Sequence, residues 1–175
     1  MPNIHSGVLD DGAKLQIVPS TRQITVPASV SIIGTEGDHL SEQLTFQCPK
    51  VIDGHDVTAC ASHYISWVNA AGVSGKYTIE DIWVEDNMMY FHWLIDDRIT
   101  TAAGGITISV HFVDYDEDWV VLYKWSTTNC TALRVLPTTN HDTDDENDDA
   151  LVYVDINDVA LQEAVESAVR GVLYG

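Results

Sequence analysis

Gly105-Ile106-Thr107-Ile108-Ser109-Val110-His111-Phe112-Val113 decides the fold class. Ile106, Ile108, Val110 and Phe112 fall on alternate positions, and the residues between them are hydroxyls and one histidine. A period of two puts one apolar face and one polar face on an extended strand, whereas a helix would repeat every 3.6 residues. Downstream, Asp114-Tyr115-Asp116-Glu117-Asp118 reads as an acidic turn. A second alternating run follows, with Trp119, Val121, Tyr123 and Trp125 on one face. Thr131 to Leu136 is a last run, ended by Pro137.

The same rhythm extends towards the N-terminus. Met88 to Ile95 joins Asp81 to Val84 through Glu85-Asp86-Asn87, which reads as a hairpin. Ser62 to Asn69 closes at Ala71-Gly72, and Lys76 to Ile79 follows it. Gln43 to Cys48 alternates with Leu44, Phe46 and Cys48 on one face and stops at Pro49. Leu15 to Val18, Gln23 to Val26 and Val30 to Ile33 are shorter runs, each ended by proline or glycine. About eight to ten short strands with breakers between them predict an all-β, antiparallel β-sandwich or barrel. A parallel α/β fold needs helices between strands, and no helical period occurs before residue 155.

Charge divides the chain. Residues 1–138 carry 17 acidic and 7 basic side chains, and residues 139–175 carry 10 and 1. The composition shift sets the expected organisation: an N-terminal arm at 1–13, a β-domain at 14–138, an acidic linker at 139–154 and a C-terminal helix at 155–175. In that helix Leu161, Val165, Ala168 and Val172 form one apolar stripe. A helix this short is marginal alone, so the stripe is expected to pack on its own domain or on other copies, as an oligomerisation handle.

A formal net charge of −19 repels phosphate backbones and anionic lipid, so neither nucleic acid nor a membrane surface is an expected partner. No apolar run approaches the ~20 residues that span a bilayer. Met1-Pro2-Asn3-Ile4-His5-Ser6 has neither a basic start nor an apolar stretch, so no secretory signal is read there. Cys48, Cys60 and Cys130 cannot all pair with one another and show no zinc-ligand spacing. Reduced thiols and synthesis in a cytoplasm are the expectation.

Sites of chemistry are sparse. Asp114, Asp116 and Asp118 alternate, and three carboxylates on one side of a strand could ligate Ca²⁺. A solvated hairpin tip is the preferred reading of them, which leaves Ca²⁺ a weak candidate. The run from Asp142 to Asp149 lacks the glycine and the final acid of a calcium loop, with Asn147 and Tyr153 in those places. None of the seven histidines forms a metal-binding pair in sequence, and there is no Gly-x-Ser-x-Gly nucleophile motif. Asp53 and Asp56 flank Gly54-His55 in a turn, a poor acid–base arrangement. Enzyme activity and cofactors are therefore not expected. Trp67, Trp83, Trp93, Trp119 and Trp125 all lie in predicted strands and are expected mostly in the core; any left exposed would be an interface anchor or a sugar platform.

One stretch is more specific. Ile33-Gly34-Thr35-Glu36-Gly37-Asp38-His39, Gln43 to Pro49 and Asp53-Gly54-His55-Asp56 resemble, in this order, the N-terminal domain of bacteriophage baseplate upper proteins and related tail-fibre proteins. Trp67 to Gly72 and Val84 to Leu94 extend the resemblance, which spans roughly residues 15–137. It implies an immunoglobulin-like sandwich that joins a virion, is made in the bacterial host cytoplasm, and helps position the host-adhesion apparatus. Its partners would be other baseplate, tail or capsid subunits, with Glu36, Gly37 and Asp38 at the contact. The family's helical stalks are often trimeric, so a homo-oligomer is expected. Here one linker and one helix follow the domain, so an anchoring or adaptor role fits better than direct receptor recognition. Capsid decoration and a carbohydrate-binding module are the alternatives.

Overall fold

The computed structural model describes residues 13–139. The arm up to residue 12, most of the acidic linker and the stripe of Leu161, Val165, Ala168 and Val172 lie outside the described residues.

Strands dominate what is described, so this part of the chain is all-β. In order they are β1 (Leu15–Val18), β2 (Gln23–Thr25), β3 (Ile32–Thr35), β4 (Glu42–Pro49), β5 (Val51–Ile52), β6 (His55–Asp56), β7 (Ser62–Val68), β8 (Ser74–Thr78), β9 (Ile82–Glu85), β10 (Met88–Ile95), β11 (Gly104–Tyr115), β12 (Val121–Ser126) and β13 (Cys130–Leu136). One sheet runs β2-β1-β4-β10-β9 and the other β3-β13-β11-β7-β8, with β12 also paired to β11. β5 and β6 form a separate small hairpin. Among the described residues no helix is long and apolar enough to cross a membrane.

Both sheets feed one core. β4 contributes Leu44, Phe46 and Cys48, and β10 contributes Met89, Phe91, Trp93 and Ile95. β11 adds Ile106, Ile108, Val110 and Phe112, and β7 adds Ile65 and Trp67. Phe91 and Phe112 meet edge to face at 6.4 Å, which brings a side chain of each sheet into contact. Removing one such side chain from water contributes roughly 1.5–3 kcal/mol. Cys48, Cys60 and Cys130 are free and buried. Burial pushes the Cys48 thiol up to about 12 and the Cys60 thiol to about 11, so both stay protonated and inert near neutral pH.

Three sequence expectations change. The sheets are not antiparallel throughout: β1 runs parallel to β4, and β3 runs parallel to β13. Neither pair is joined by a hairpin, so the turn geometry that enforces antiparallel neighbours does not act on them. Val30 does not begin a strand. Pro27, at φ −64°, opens a 3₁₀ turn over Ala28–Val30, and the strand starts at Ile32. Trp119 is not a strand residue either. The Asp116 carboxylate accepts the N–H groups of Asp118 (2.8 Å) and Val120 (2.9 Å), and this turn puts Trp119 at φ 62°.

Candidate functional site

The β11–β12 hairpin carries the most conspicuous surface. Trp119 is 78% exposed, and Val120, Val121 and Leu122 beside it are exposed as well. Tyr115 meets the Trp119 ring edge-on at 5.6 Å, and Trp119 N–H donates to the Asp116 carbonyl at 3.0 Å. The indole is thus presented on a hydrogen-bonded turn. Asp116, Glu117 and Asp118 give its rim a negative charge. Further along β12, Trp125 is buried against Phe112, with ring centroids 5.7 Å apart. The Arg22 guanidinium lies 5.0 Å from the Trp125 ring, and Arg22 Nη1 donates to the Ser126 carbonyl at 3.0 Å. One end of β12 is pinned while the other presents apolar side chains to solvent.

Tryptophan divides accordingly. Trp67, Trp93 and Trp125 are buried, Trp83 is half-buried and stacked on Tyr90 at 5.5 Å, and Trp119 is outside. The run Trp119-Val120-Val121-Leu122 is the sequence signal for this patch, because four consecutive apolar residues break the alternation of a half-buried strand.

The loop of Glu36, Gly37 and Asp38 uses its polar groups internally. Asp38 Oδ2 accepts the Thr35 N–H at 2.9 Å, and Asp38 Oδ1 accepts the Thr35 hydroxyl at 3.2 Å. Glu36 Oε2 accepts the Ala103 N–H at 3.1 Å, and Gly37 N–H donates to the Thr100 carbonyl at 3.0 Å. The Thr100 hydroxyl donates to the Asp38 carbonyl at 2.6 Å. These bonds tie the β3–β4 loop to the segment before β11. Gly34, at φ 137°, lets the chain enter this knot; a Cβ there would sit 3.0 Å from Asp38 Oδ2.

Several other carboxylates accept local hydrogen bonds. Asp114 Oδ1 accepts from its neighbour Tyr115 N–H at 3.2 Å, while Asp116 holds its own turn. Among the described residues no three His, Cys, Asp or Glu side chains are grouped to hold a metal, so Asp114, Asp116 and Asp118 do not converge. Asp56 accepts from the Thr58 hydroxyl and N–H and lies 3.2 Å from Lys50 Nζ. The Thr58 hydroxyl, more than Lys50, holds the Asp56 carboxyl below its ordinary range. Asp53 (φ 50°) and Gly54 (φ 80°) form the tight turn between β5 and β6. His55 stacks on Tyr123, with ring centroids 3.7 Å apart.

No protein-family model matches the chain, and no curated protein matches it significantly.

Proposed function

We infer that the domain is an immunoglobulin-like β-sandwich and that the chain is a structural protein of a bacteriophage virion. In that role it is an anchoring or adaptor module of the baseplate, tail or fibre that helps position the host-adhesion apparatus. For the fold, the support is strand order. The order β4-β10-β9 in one sheet and β13-β11-β7-β8 in the other corresponds to the B-E-D and G-F-C-C′ orders of variable-type immunoglobulin sandwiches. For the role, the support is the run of motifs from Ile33 to Asp56 together with one surface observation.

That observation is the exposed run Trp119-Val120-Val121-Leu122 at the β11–β12 hairpin. A contiguous apolar patch with a tryptophan at its tip is the anatomy of a protein–protein anchor. The acidic rim of Asp116, Glu117 and Asp118 calls for a pocket edged with Lys or Arg on the partner. Glu36, Gly37 and Asp38 are better suited to hold the domain together than to reach a partner. Capsid decoration would use the same chemistry on a different part of the particle.

Mass spectrometry of density-purified phage particles from the source genome tests the reading. The chain is expected in a fixed ratio to the major structural subunits. Its absence from particles that contain the other tail and capsid proteins would overturn the virion role.

A further inference from the structure

A groove of about 420 Å³ lies on the outward face of the sheet formed by β7, β8 and β11. Ser66, Ser74, Lys76, Thr107, Ser109 and Asn129 supply its polar lining. The register explains the clustering. Ser109 pairs with Ser66, and Ser66 pairs with Lys76, so three adjacent strands present one polar row. The next row is just as ordered. His111 pairs with Tyr64, their rings stack at 4.8 Å, and Lys76 Nζ sits 4.6 Å from the Tyr64 ring centroid. Ser109 Oγ is 2.8 Å from His111 Nε2, and Ser126 Oγ is 2.7 Å from His111 Nδ1. A neutral imidazole donates to one of these hydroxyls and accepts from the other, so Ser109 at the groove is held in one orientation.

Charge is segregated around it. The six strands of this sheet carry Lys76, Lys124 and Arg134 but only one acid, Asp114, near the end of β11. The domain's other described acids sit in loops, on the other sheet or, as Asp56 does, on the small β5–β6 hairpin. In a chain of net charge −19, a locally basic sheet face is a distinct electrostatic feature.

We propose that this groove binds an acidic saccharide unit, a hydroxylated ring bearing a carboxylate or phosphate. Hydroxyl and amide side chains both donate and accept, which matches the ring hydroxyls of a sugar. The Lys76 ammonium, steered over Tyr64, supplies a charge-assisted bond to the anionic group. The volume falls in the range of small-molecule pockets and accommodates one or two sugar rings. This inference does not depend on the virion role.

The test is an NMR titration of the full-length ¹⁵N-labelled chain with four probes: glucuronate, glucose 6-phosphate, glucose and inorganic phosphate. Saturable shifts centred on Ser66, Lys76, Thr107 and Ser109 are expected with at least one acidic sugar. Its affinity should exceed that of glucose and of inorganic phosphate by about tenfold or more, since a charged hydrogen bond supplies that much discrimination. The tighter of the two acidic sugars identifies the anion as carboxylate or phosphate. Lys76→Gln, on an exposed strand residue, should weaken binding at least about tenfold, and Lys14→Gln, near the other sheet, should leave it unchanged. Failure of both acidic sugars to saturate up to about 10 mM, a free energy of under about 3 kcal/mol, would overturn the proposal. Equal binding of glucose or inorganic phosphate, or undiminished binding by Lys76→Gln, would overturn it as well.

Discussion

Exposure separates the tryptophans into two energetic classes. Trp93 fills the core between the sheets, and Trp93→Ala should cost about 3–5 kcal/mol in chemical denaturation. Among the described aromatic rings Trp119 touches only Tyr115, and Trp119→Ser should change stability by less than about 0.5 kcal/mol. A large loss at Trp119 would mean that the hairpin belongs to the fold rather than to a docking surface. Asp38 poses the opposite case. It accepts both the N–H and the hydroxyl of Thr35, so Asp38→Ala should cost about 1–2 kcal/mol, as loss of a helix or loop cap does. His111 sets a pH dependence. Burial, assisted by Lys124, lowers its pKa, so the folded state binds fewer protons than the unfolded chain in acid. Its contribution to stability is full above the ordinary histidine range of ~6.5 and is lost as pH falls through the lower folded value. Thermal melts from pH 7.5 to 5.5 should fall less steeply for His111→Gln than for the natural chain.

At the scale of elements, turn chemistry governs the hairpins. Asp86 (φ 51°) and Asn87 (φ 65°) both sit in the left-handed region between β9 and β10, the backbone of a type I′ turn. Asn87→Gly relieves that cost and should raise stability by a few tenths of a kcal/mol, readable as an increased denaturation midpoint. Gly75 in β8 lies opposite Trp67, and a Cβ there would overlap the Trp67 ring. Gly75→Ala should therefore destabilise by about 1–3 kcal/mol through overpacking. These elements also show what the sequence discloses. Strands with clean alternation, such as Gln43 to Cys48 and Ile106 to Val113, are legible because burial on one face imposes the period. The Glu85-Asp86-Asn87 hairpin is legible because few residues tolerate its backbone. Parallel pairing of β1 with β4 and of β3 with β13 is not legible, because strands distant in sequence choose partners through the whole sheet. Trp119 misleads because its alternation with Val121 fits a strand, while the Asp116 carboxylate captures the local amides first. The groove is invisible for a similar reason: Ser66, Lys76 and Ser109 become neighbours only through registers among three strands.

For the whole molecule, charge and apolar surface are distributed in a way that favours assembly. Acids concentrate in the loops and in residues 139–175, which keeps the chain soluble and discourages unspecific contact. The exposed apolar hairpin tip stands out against that background, and it is the anchor we propose for a basic-rimmed partner. The proposed stripe of Leu161, Val165, Ala168 and Val172 makes a further statement at this scale. Light scattering of the full chain should give a trimer or larger, and Leu161→Asp with Val165→Asp should give a monomer; a monomeric natural chain would send the stripe back to its own domain or to another partner. The docking claim is tested most directly by counting copies per particle in phage grown with either the natural chain or Trp119→Ser. The natural chain should appear in a fixed ratio to the other structural proteins, and Trp119→Ser, though folded, should be missing or strongly depleted. Equal incorporation of both chains, or absence of the natural chain, would contradict docking through this hairpin.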